Sequence, residues 1–219
     1  HLDASFVTTS PSVLNFLPKN NNNFYIPNPS DDSFETLNNF LKPCNVDVFF
    51  ALSHGVHRGV LKTGKIDDRI TFLRNLSKKT PDVKFDIYGI DKIQPIWADH
   101  YFKTIANAKM GLNLSRGDAI KYYSSDRITQ IVGNGLVCLI DEKTQYRDFF
   151  DNSEMVFYKN ISDLSEKILK ISRDEKLRKS IGKKGKKKYM KYFNSTLVAD
   201  FIINKTLGRL DKRRYYWHD

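Results

Sequence analysis

Charged and aromatic side chains are concentrated in the segment SRGDAIKYYSSDR, residues 115–127. It ends on Arg127, which falls in the first turn of a short predicted helix, 126–132. That end of a helix carries the positive pole of its dipole, so a cation is unfavourable there unless an anion joins it. Phosphate groups are anions that both helix N-termini and guanidinium groups bind. Arg127 therefore predicts a diphosphate site, and the alternative is an ion pair with Asp118 or Asp126.

A second candidate loop, SHGVHRG, directly follows the apolar run VDVFFAL. Its glycines allow backbone amides to approach a ligand closely, and Arg58 offers a fork of donors to phosphate oxygens. His54 and His57 are three residues apart, but no further Cys or His lies near them, so no metal site is expected. The loop is predicted to hold phosphate or sugar, and the alternative is an ordinary glycine-containing turn. The sequence contains neither a dinucleotide-binding G-x-G-x-x-G nor a Walker A motif.

The composition is that of a folded protein with an excess of positive charge. Of 219 residues, 40% are apolar and 13% are aromatic, which is enough for a packed core. The formal net charge of +11 favours anionic partners, although solvated surface lysine accounts for it equally well. Cys44 and Cys138 provide neither a disulfide framework nor a zinc cluster. Because the cysteines are so few, a reducing, cytoplasmic setting is expected. No apolar run approaches the roughly 20 residues that span a bilayer.

Alternating strands and helices are predicted to position these loops. Apolar runs indicate strands at 46–52, 83–90, 110–115, 136–140 and 155–158. Helical spacing indicates helices at 65–79, 96–108, 126–132, 145–150 and from Ile161 onward. This alternation is typical of an α/β fold with a parallel sheet and helices on both faces. In such sheets ligands bind beyond the carboxyl ends of the strands, so function is expected in the loops after Leu52, Tyr88, Leu114 and Ile140.

The order of these motifs resembles the C-terminal, donor-binding domain of GT-B glycosyltransferases, in the CgeB-like branch of group 1. The strand DVFFAL leads into a His/Gly/Arg loop, KFDIYG and GLNLS follow, and RITQIVGNG gives an R-x-x-(E/Q)-x-x-x-x-G helix. The segment DNSEMVFYKNISDLSEKI and a basic closing helix complete the resemblance, which spans residues 46–207. It implies a Rossmann-like domain over 41–219, with residues 1–40 as the remnant of an N-terminal domain plus the interdomain linker.

The resemblance also assigns roles to individual residues. In the family a helix Glu binds the ribose hydroxyls, and that position is Gln130 here, while the first Glu of the paired pattern is replaced by Tyr122. The basic residues that meet the diphosphate correspond to Arg58, with His57 beside it, and to Arg127. The donor-binding residues predicted in this way are Ser53, Gly55, His57, Tyr88, Gly89, Asp118, Lys121, Ser124, Ser125, Asp126 and Gln130.

The reaction that the resemblance implies is transfer of a hexosyl or deoxyhexosyl group from a nucleoside diphosphate sugar. The acceptor would be a glycan or lipid-linked saccharide, as in polysaccharide biosynthesis. GT-B enzymes generally need no metal or other cofactor, and Arg58 and Arg127 would stabilise the charge that develops on the departing diphosphate. The base that activates the acceptor normally belongs to the N-terminal domain, so this chain is expected to bind donor better than it catalyses.

Two other functions stay open. The loss of the paired Glu favours a non-catalytic module that binds sugar nucleotides, and the net charge favours a nucleic-acid-binding α/β domain. The sequence contains no RRM, KH or zinc-knuckle pattern, so nucleic acid is not the expected partner.

The basic segment 173–193 is interpreted as solvated helix faces, with contact to the inner face of an anionic membrane as the alternative.

Overall fold

The computed structural model describes residues 4–18, 22–52, 68–90, 93–209 and 214–218. Its strands are β1 (Ser5–Val7), β2 (Asn23–Tyr25), β3 (Val46–Ala51), β4 (Phe85–Tyr88), β5 (Ala108–Asn113), β6 (Val137–Asp141) and β7 (Val156–Tyr158). Its α-helices are α1 (Asp68–Lys79), α2 (Ala98–Ile105), α3 (Arg127–Gly133), α4 (Ile161–Arg173), α5 (Glu175–Tyr192) and α6 (Ser195–Thr206). Short 3₁₀ turns occupy Pro11–Val13, Asn39–Leu41, Glu142–Thr144 and Tyr146–Asp148.

Five strands form one parallel sheet in the order β4-β3-β5-β6-β7. The chain passes from β3 to β4 on one side and then crosses back to β5 on the other side of β3. The strand order therefore reverses between β3 and β5. In open α/β sheets such a switch point leaves a crevice at the carboxyl ends of the strands, where ligands bind.

Side chains of the sheet alternate between two apolar cores, as the two faces of a strand require. On β3, Val48 and Phe50 belong to the core beneath α1 and α4, together with Leu76 and Ile168. Phe49 and Ala51 belong to the opposite core, with residues from α2, α3, α5 and α6. The interior strand β6 is buried from Val137 to Ile140. The predicted parallel sheet with helices on both faces is thus confirmed.

Element boundaries differ from the sequence-based expectation at one helix in particular. Residues 145–150 were expected to be helical, but only the 3₁₀ turn Tyr146–Asp148 forms. Gln145 adopts a left-handed conformation with φ of 56°, and Tyr146 is buried beneath the sheet. The tertiary position of the Tyr146 ring, which the local pattern does not encode, fixes this turn.

The N-terminal residues pack closely on the C-terminal helices. The parallel pair β1 and β2 places Phe6 and Phe24 against Phe201 of α6, with ring centroids 6.1 Å apart in both contacts. Further along, Arg178 of α5 is 1% exposed and donates to the carbonyl oxygens of Asn39 and Lys42 at 2.8 and 3.0 Å. The predicted boundary between residues 1–40 and 41–219 stays a prediction, and it falls inside this contact.

Two glycines allow α5 to lie directly on backbone atoms of the sheet layer. A Cβ on Gly182 would lie 2.5 Å from the Gly135 carbonyl oxygen, and one on Gly185 would lie 2.4 Å from the Glu154 carbonyl oxygen. Backbone oxygens cannot move aside as the end of a flexible side chain can. The sequence GKKGKKK, which has low helix propensity at its glycines, is explained by this close approach.

We expect Gly185→Ala to lower the free energy of unfolding by up to about 2 kcal/mol, because an overpacking cost of about 1–3 kcal/mol is offset by a helix-propensity gain of only about 1 kcal/mol. Urea denaturation followed by circular dichroism measures the change. Ser180→Ala, at an exposed position of the same helix, is the matched control and should be nearly neutral. A more stable Gly185→Ala protein would show that the contact with Glu154 is not tight.

Candidate functional site at the sheet switch point

A cavity of about 630 Å³ opens where β3 and β5 end, at the switch point of the sheet. Its described walls come from the end of β3, from α1, from α2 and the segment that enters it, and from α3 and the segment between β5 and α3. The lining residues are Ala51, Leu52, Arg69, Ile96, Trp97, Ala98, Tyr101, Phe102, Ser115, Arg116, Tyr123, Ser125, Asp126, Arg127 and Gln130.

Arg127 joins the carboxyl ends of the two strands that flank the switch point. Its Nη1 donates to the Ala51 carbonyl oxygen at 3.4 Å, and its Nη2 donates to the Leu114 carbonyl oxygen at 2.7 Å. The guanidinium carbon lies 5.1 Å from the centroid of the Phe50 ring. The guanidinium is therefore held in one place by the sheet itself, with its edge in the cavity.

The contacts of Arg127 fix its position without cancelling its charge, because carbonyl oxygens are neutral. Its Nε is buried without a hydrogen-bond partner, and no ion pair between described residues includes it. Burial, together with the nearby guanidinium of Arg69, lowers the pKa of Arg127 to about 10. Arg69 is itself only 5% exposed and lines the same cavity. Two cations that face one cavity favour an anionic ligand there.

The N-terminus of α3 contributes less to this site than the sequence predicts. The amide of Ile128 donates to the Ser125 carbonyl oxygen at 3.0 Å, and that of Thr129 donates to the Asp126 carbonyl oxygen at 3.2 Å. Asp126 is in the right-handed helical region and its side chain does not cap the helix. The turn before α3 therefore uses these amides, which leaves the guanidinium groups as the main source of positive charge.

Gln130 lies one helical turn after Arg127 and faces the same cavity. Its Oε1 accepts a short hydrogen bond from the hydroxyl of Tyr101 on α2. A tyrosine hydroxyl is protonated and can donate at neutral pH, and burial raises the pKa of Tyr101 further. This bond orients the Gln130 amide. The structure therefore places Ser125, Asp126, Arg127 and Gln130 together, as the sequence predicts.

Other predicted site residues are not among the described residues that line the cavity. Ser124 is buried, and its hydroxyl oxygen accepts from Asn28 Nδ2 and from the Tyr146 hydroxyl, each at 2.8 Å. Asp118 is exposed, and Lys121 lies over the Tyr122 ring with Nζ 4.9 Å from its centroid. Ser124 therefore holds the segment in place, and its side chain does not point towards a ligand.

The predicted base-binding pair also packs elsewhere. The Tyr88 ring lies 6.4 Å from that of Phe49 on β3 and 6.0 Å from that of His100 on α2. Gly89 has φ of 75°, and a Cβ there would lie 2.0 Å from the Leu52 carbonyl oxygen. Gly89 is therefore required for the close approach of two strand ends, a packing role. Ser53, Gly55, His57 and Arg58 lie outside the described residues.

Among the cavity residues that sequence reasoning missed are Arg69 and the aromatic residues Trp97, Tyr101 and Phe102. The sequence pattern that singled out Arg127, a cation near the start of a predicted helix, also applies to Arg69 and could have identified it. Trp97 is 61% exposed and Phe102 is 38% exposed, although both are large and apolar. Trp97 directly precedes Ala98, whose φ of 47° is uncommon for a residue other than glycine. Such exposure and backbone strain often mark a binding site.

No group of three or more His, Cys, Asp and Glu residues is placed to hold a metal ion in the described ranges, and the expectation that no metal is needed stays a prediction. None of the helices in that part of the chain combines the length and the apolar character needed to cross a membrane.

Comparison with known proteins identifies the family. The model of a family described as glycosyl transferase-like matches residues 69–204, which is more than half of the chain. The chain therefore belongs to the glycosyl transferase-like family. A comparison with curated protein sequences gives no match.

Solved structures with a similar fold are GT-B glycosyltransferases, so the predicted resemblance to their C-terminal domain is confirmed. The TarM G117R mutant from S. aureus, in complex with fondaparinux, alpha-GlcNAc-glycerol and UDP, has a TM-score of 0.65 at 16% identity over 94% of this chain. The pneumococcal O-GlcNAc transferase GtfA, in complex with UDP and GlcNAc, has a TM-score of 0.63 at 12% identity over 95%.

Sucrose-phosphate synthase from Thermosynechococcus elongatus has a TM-score of 0.59 at 11% identity over 95% of this chain. The matched region is 44% of the TarM chain, 45% of the GtfA chain and 58% of the synthase chain. This chain thus spans about half the length of the structures it matches, and at such identities the likeness concerns the fold.

We expect pyrophosphate to stabilise the protein through Arg127, by about 2.7 kcal/mol at a hundredfold excess over its dissociation constant. Arg127→Gln should lose most of this ligand-dependent shift, and Arg127→Lys, which keeps the charge, should retain part of it. Thermal unfolding with and without pyrophosphate separates the ligand effect from any loss of intrinsic stability.

Arg173→Gln is the matched control, since Arg173 is 70% exposed and pairs with Asp82 at 3.8 Å on the surface. It should leave the pyrophosphate shift intact. An Arg127→Gln protein that pyrophosphate stabilises as strongly as the parent would remove Arg127 from the anion site.

Proposed function

We propose that the chain is the donor-binding domain of a glycosyltransferase that transfers a sugar from a nucleoside diphosphate sugar. The observation that carries the proposal is the pair of buried guanidinium groups, Arg127 and Arg69, in the cavity at the switch point. A diphosphate supplies the negative charge that this cavity favours. Membership of the glycosyl transferase-like family supports the choice of a sugar nucleotide among the possible diphosphates.

The cavity offers a separate contact for each part of such a donor. The diphosphate would lie against Arg127 and Arg69. The ribose would lie at Gln130, whose Oε1 is already taken by Tyr101, so the amide nitrogen would donate to a hydroxyl oxygen. The planar base would stack on Trp97 or Phe102, which expose large aromatic faces on the cavity wall. Tyr88, which packs against Phe49 and His100, is less suited to that role.

The chemical step in this proposal is departure of the nucleoside diphosphate from the anomeric carbon. Negative charge grows on the leaving oxygen as the glycosidic bond breaks. A guanidinium already fixed by the carbonyls of Ala51 and Leu114 needs no reorganisation to stabilise that charge, which is the condition for strong electrostatic catalysis. Arg58 remains a proposed second catalytic cation. No metal ion is required in this scheme.

The acceptor and its activating base are proposed to lie with other parts of a complete GT-B enzyme. The cavity residues described here include one carboxylate, Asp126, and the position of the family's first Glu carries Tyr122. The Tyr122 hydroxyl donates to Asp148 at 2.6 Å, and Tyr122 is not among the cavity residues. We therefore propose that this chain binds donor and turns over little of it. The acceptor class remains a glycan or a lipid-linked saccharide.

A panel of UDP-, GDP- and ADP-sugars tests the donor assignment by thermal unfolding and calorimetry. We expect one nucleotide to stabilise the protein, and expect Arg127→Gln to weaken its binding at least tenfold, about 1.4 kcal/mol. Arg173→Gln should bind normally. If no sugar nucleotide binds, while oligonucleotides bind with a steep salt dependence, the donor assignment fails and the nucleic-acid alternative replaces it. Binding by a complete enzyme that shows no turnover would favour the non-catalytic alternative.

Gln130→Glu tests the ribose contact separately from the phosphates. A carboxylate can accept from Tyr101 and from a ribose hydroxyl, and charge-assisted hydrogen bonds are about twice as strong as neutral ones. We expect the corresponding nucleoside, which carries no phosphate, to bind about fivefold more tightly, with a smaller gain for the 2′-deoxynucleoside. Titration calorimetry measures both. Gln145→Glu, an equal change of charge at an exposed site, should have no effect. Equal gains for both nucleosides would place the ribose elsewhere.

A further inference from the structure

The outer face of α5 carries a continuous row of lysines. The other four lysines of this row follow the first, Lys176, by seven, eight, eleven and fifteen residues. This helical spacing places all five along one side of the helix. The row runs from Lys176 to Lys191, almost the full length of the 18-residue helix, and so extends over about 22 Å at about 1.5 Å per residue. No acidic residue follows Glu175 in α5. The members of this lysine row are all exposed, and they are Lys176, Lys183, Lys184, Lys187 and Lys191.

Neighbouring lysines on the flanks of the helix behave differently. Lys179 pairs with Glu175 at 3.3 Å, and Lys188 pairs with Glu154 at 2.8 Å. None of the ion pairs between described residues includes a member of the lysine row. Like charges four residues apart, as at Lys183, Lys187 and Lys191, repel one another and destabilise a helix. An extended anionic surface would offset that repulsion.

An apolar groove of about 270 Å³ runs beside the row, between β7, α4 and α5. Leu177 and Ile181 of α5 form part of its floor, and Lys184 lies three residues beyond Ile181 on the same side of the helix. Arg147 and Lys170 also line the groove. An apolar floor with cations at its edge matches a molecule that has an apolar chain and an anionic head.

We propose that this face binds the surface of a membrane that contains anionic phospholipid. The lysine row lies against the headgroups, and part of one acyl chain enters the groove. The groove favours lipid over nucleic acid, because the guanidinium of Arg147 covers its one aromatic ring, Phe157, at 4.4 Å and leaves no open face for a base. This contact goes beyond donor binding and does not depend on it.

Co-sedimentation with vesicles tests the proposal on the whole chain. Vesicles of equal parts phosphatidylglycerol and phosphatidylcholine should bind the protein, and vesicles of phosphatidylcholine alone should not. Each lysine near an anionic surface contributes about a fivefold gain in affinity, so replacing Lys183, Lys187 and Lys191 with Gln should weaken vesicle binding about a hundredfold. Binding of the nucleotide found for the donor site should be unchanged in that variant.

The matched control replaces the exposed lysines Lys79, Lys103 and Lys143, on three other parts of the surface, with Gln. It carries the same net charge as the first variant and should keep most of the vesicle affinity. Equal losses in the two triple variants would overturn the proposal, because binding would then depend on total charge. Equal binding to both kinds of vesicle would overturn it as well.

Soluble anions distinguish a membrane from other polyanions. Inorganic polyphosphate and an oligonucleotide should bind more weakly than anionic vesicles at the same salt concentration, and tighter binding of either would overturn the membrane assignment. Leu177→Asn, at a half-buried position of the groove, should weaken vesicle binding and leave polyphosphate binding unchanged. Circular dichroism checks that this variant is folded. Unchanged vesicle binding by folded Leu177→Asn would remove the groove from the contact.

Discussion

The fixed position of one guanidinium group is the constraint on which the candidate site depends. Arg127 donates to the carbonyl oxygens at the ends of β3 and β5, so it can occupy this position only if both strands end at the same edge of the sheet. The parallel order of the sheet provides that edge. Because the acceptors are neutral and Arg69 is nearby, the arrangement keeps a buried positive charge that a bound anion would stabilise.

Residues 26–45 connect β2 to β3, and this connecting segment holds in place the residues that precede Arg127. Asn28 donates to both the hydroxyl and the carbonyl oxygen of Ser124, and its own carbonyl accepts from the Tyr189 hydroxyl at 2.7 Å. Tyr146 donates to the same Ser124 hydroxyl, and its own oxygen lies 3.1 Å from that of Tyr25. All five side chains are buried, so their polar groups must find partners inside the protein. These hydrogen bonds hold the segment that enters α3 against the connecting segment and, through Asn28, against α5.

The two faces of helix α5 have different roles. Its inner face meets the sheet layer through glycines and the buried Arg178, and its outer face carries the lysine row. The inner contacts account for the glycines and for Arg178, whose guanidinium also pairs with Glu175 at 2.6 Å. They do not account for the lysines. A basic helix of this kind therefore combines a structural requirement with a separate surface property.

The sequence alone determined the parallel sheet and its covered faces, because periodicity and strand–helix alternation are local signals. It also predicted that Ser125, Asp126 and Gln130 share a site with Arg127, since they are close in sequence. It could not show that Ser124, one residue away, turns inward to Asn28, 96 residues distant along the chain. Nor could the sequence show that Arg69 and Trp97 line the cavity and that Tyr88 is not among its described lining residues. Those placements depend on how α1 and α2 pack over the strand ends, and packing between distant segments is decided only by the tertiary structure.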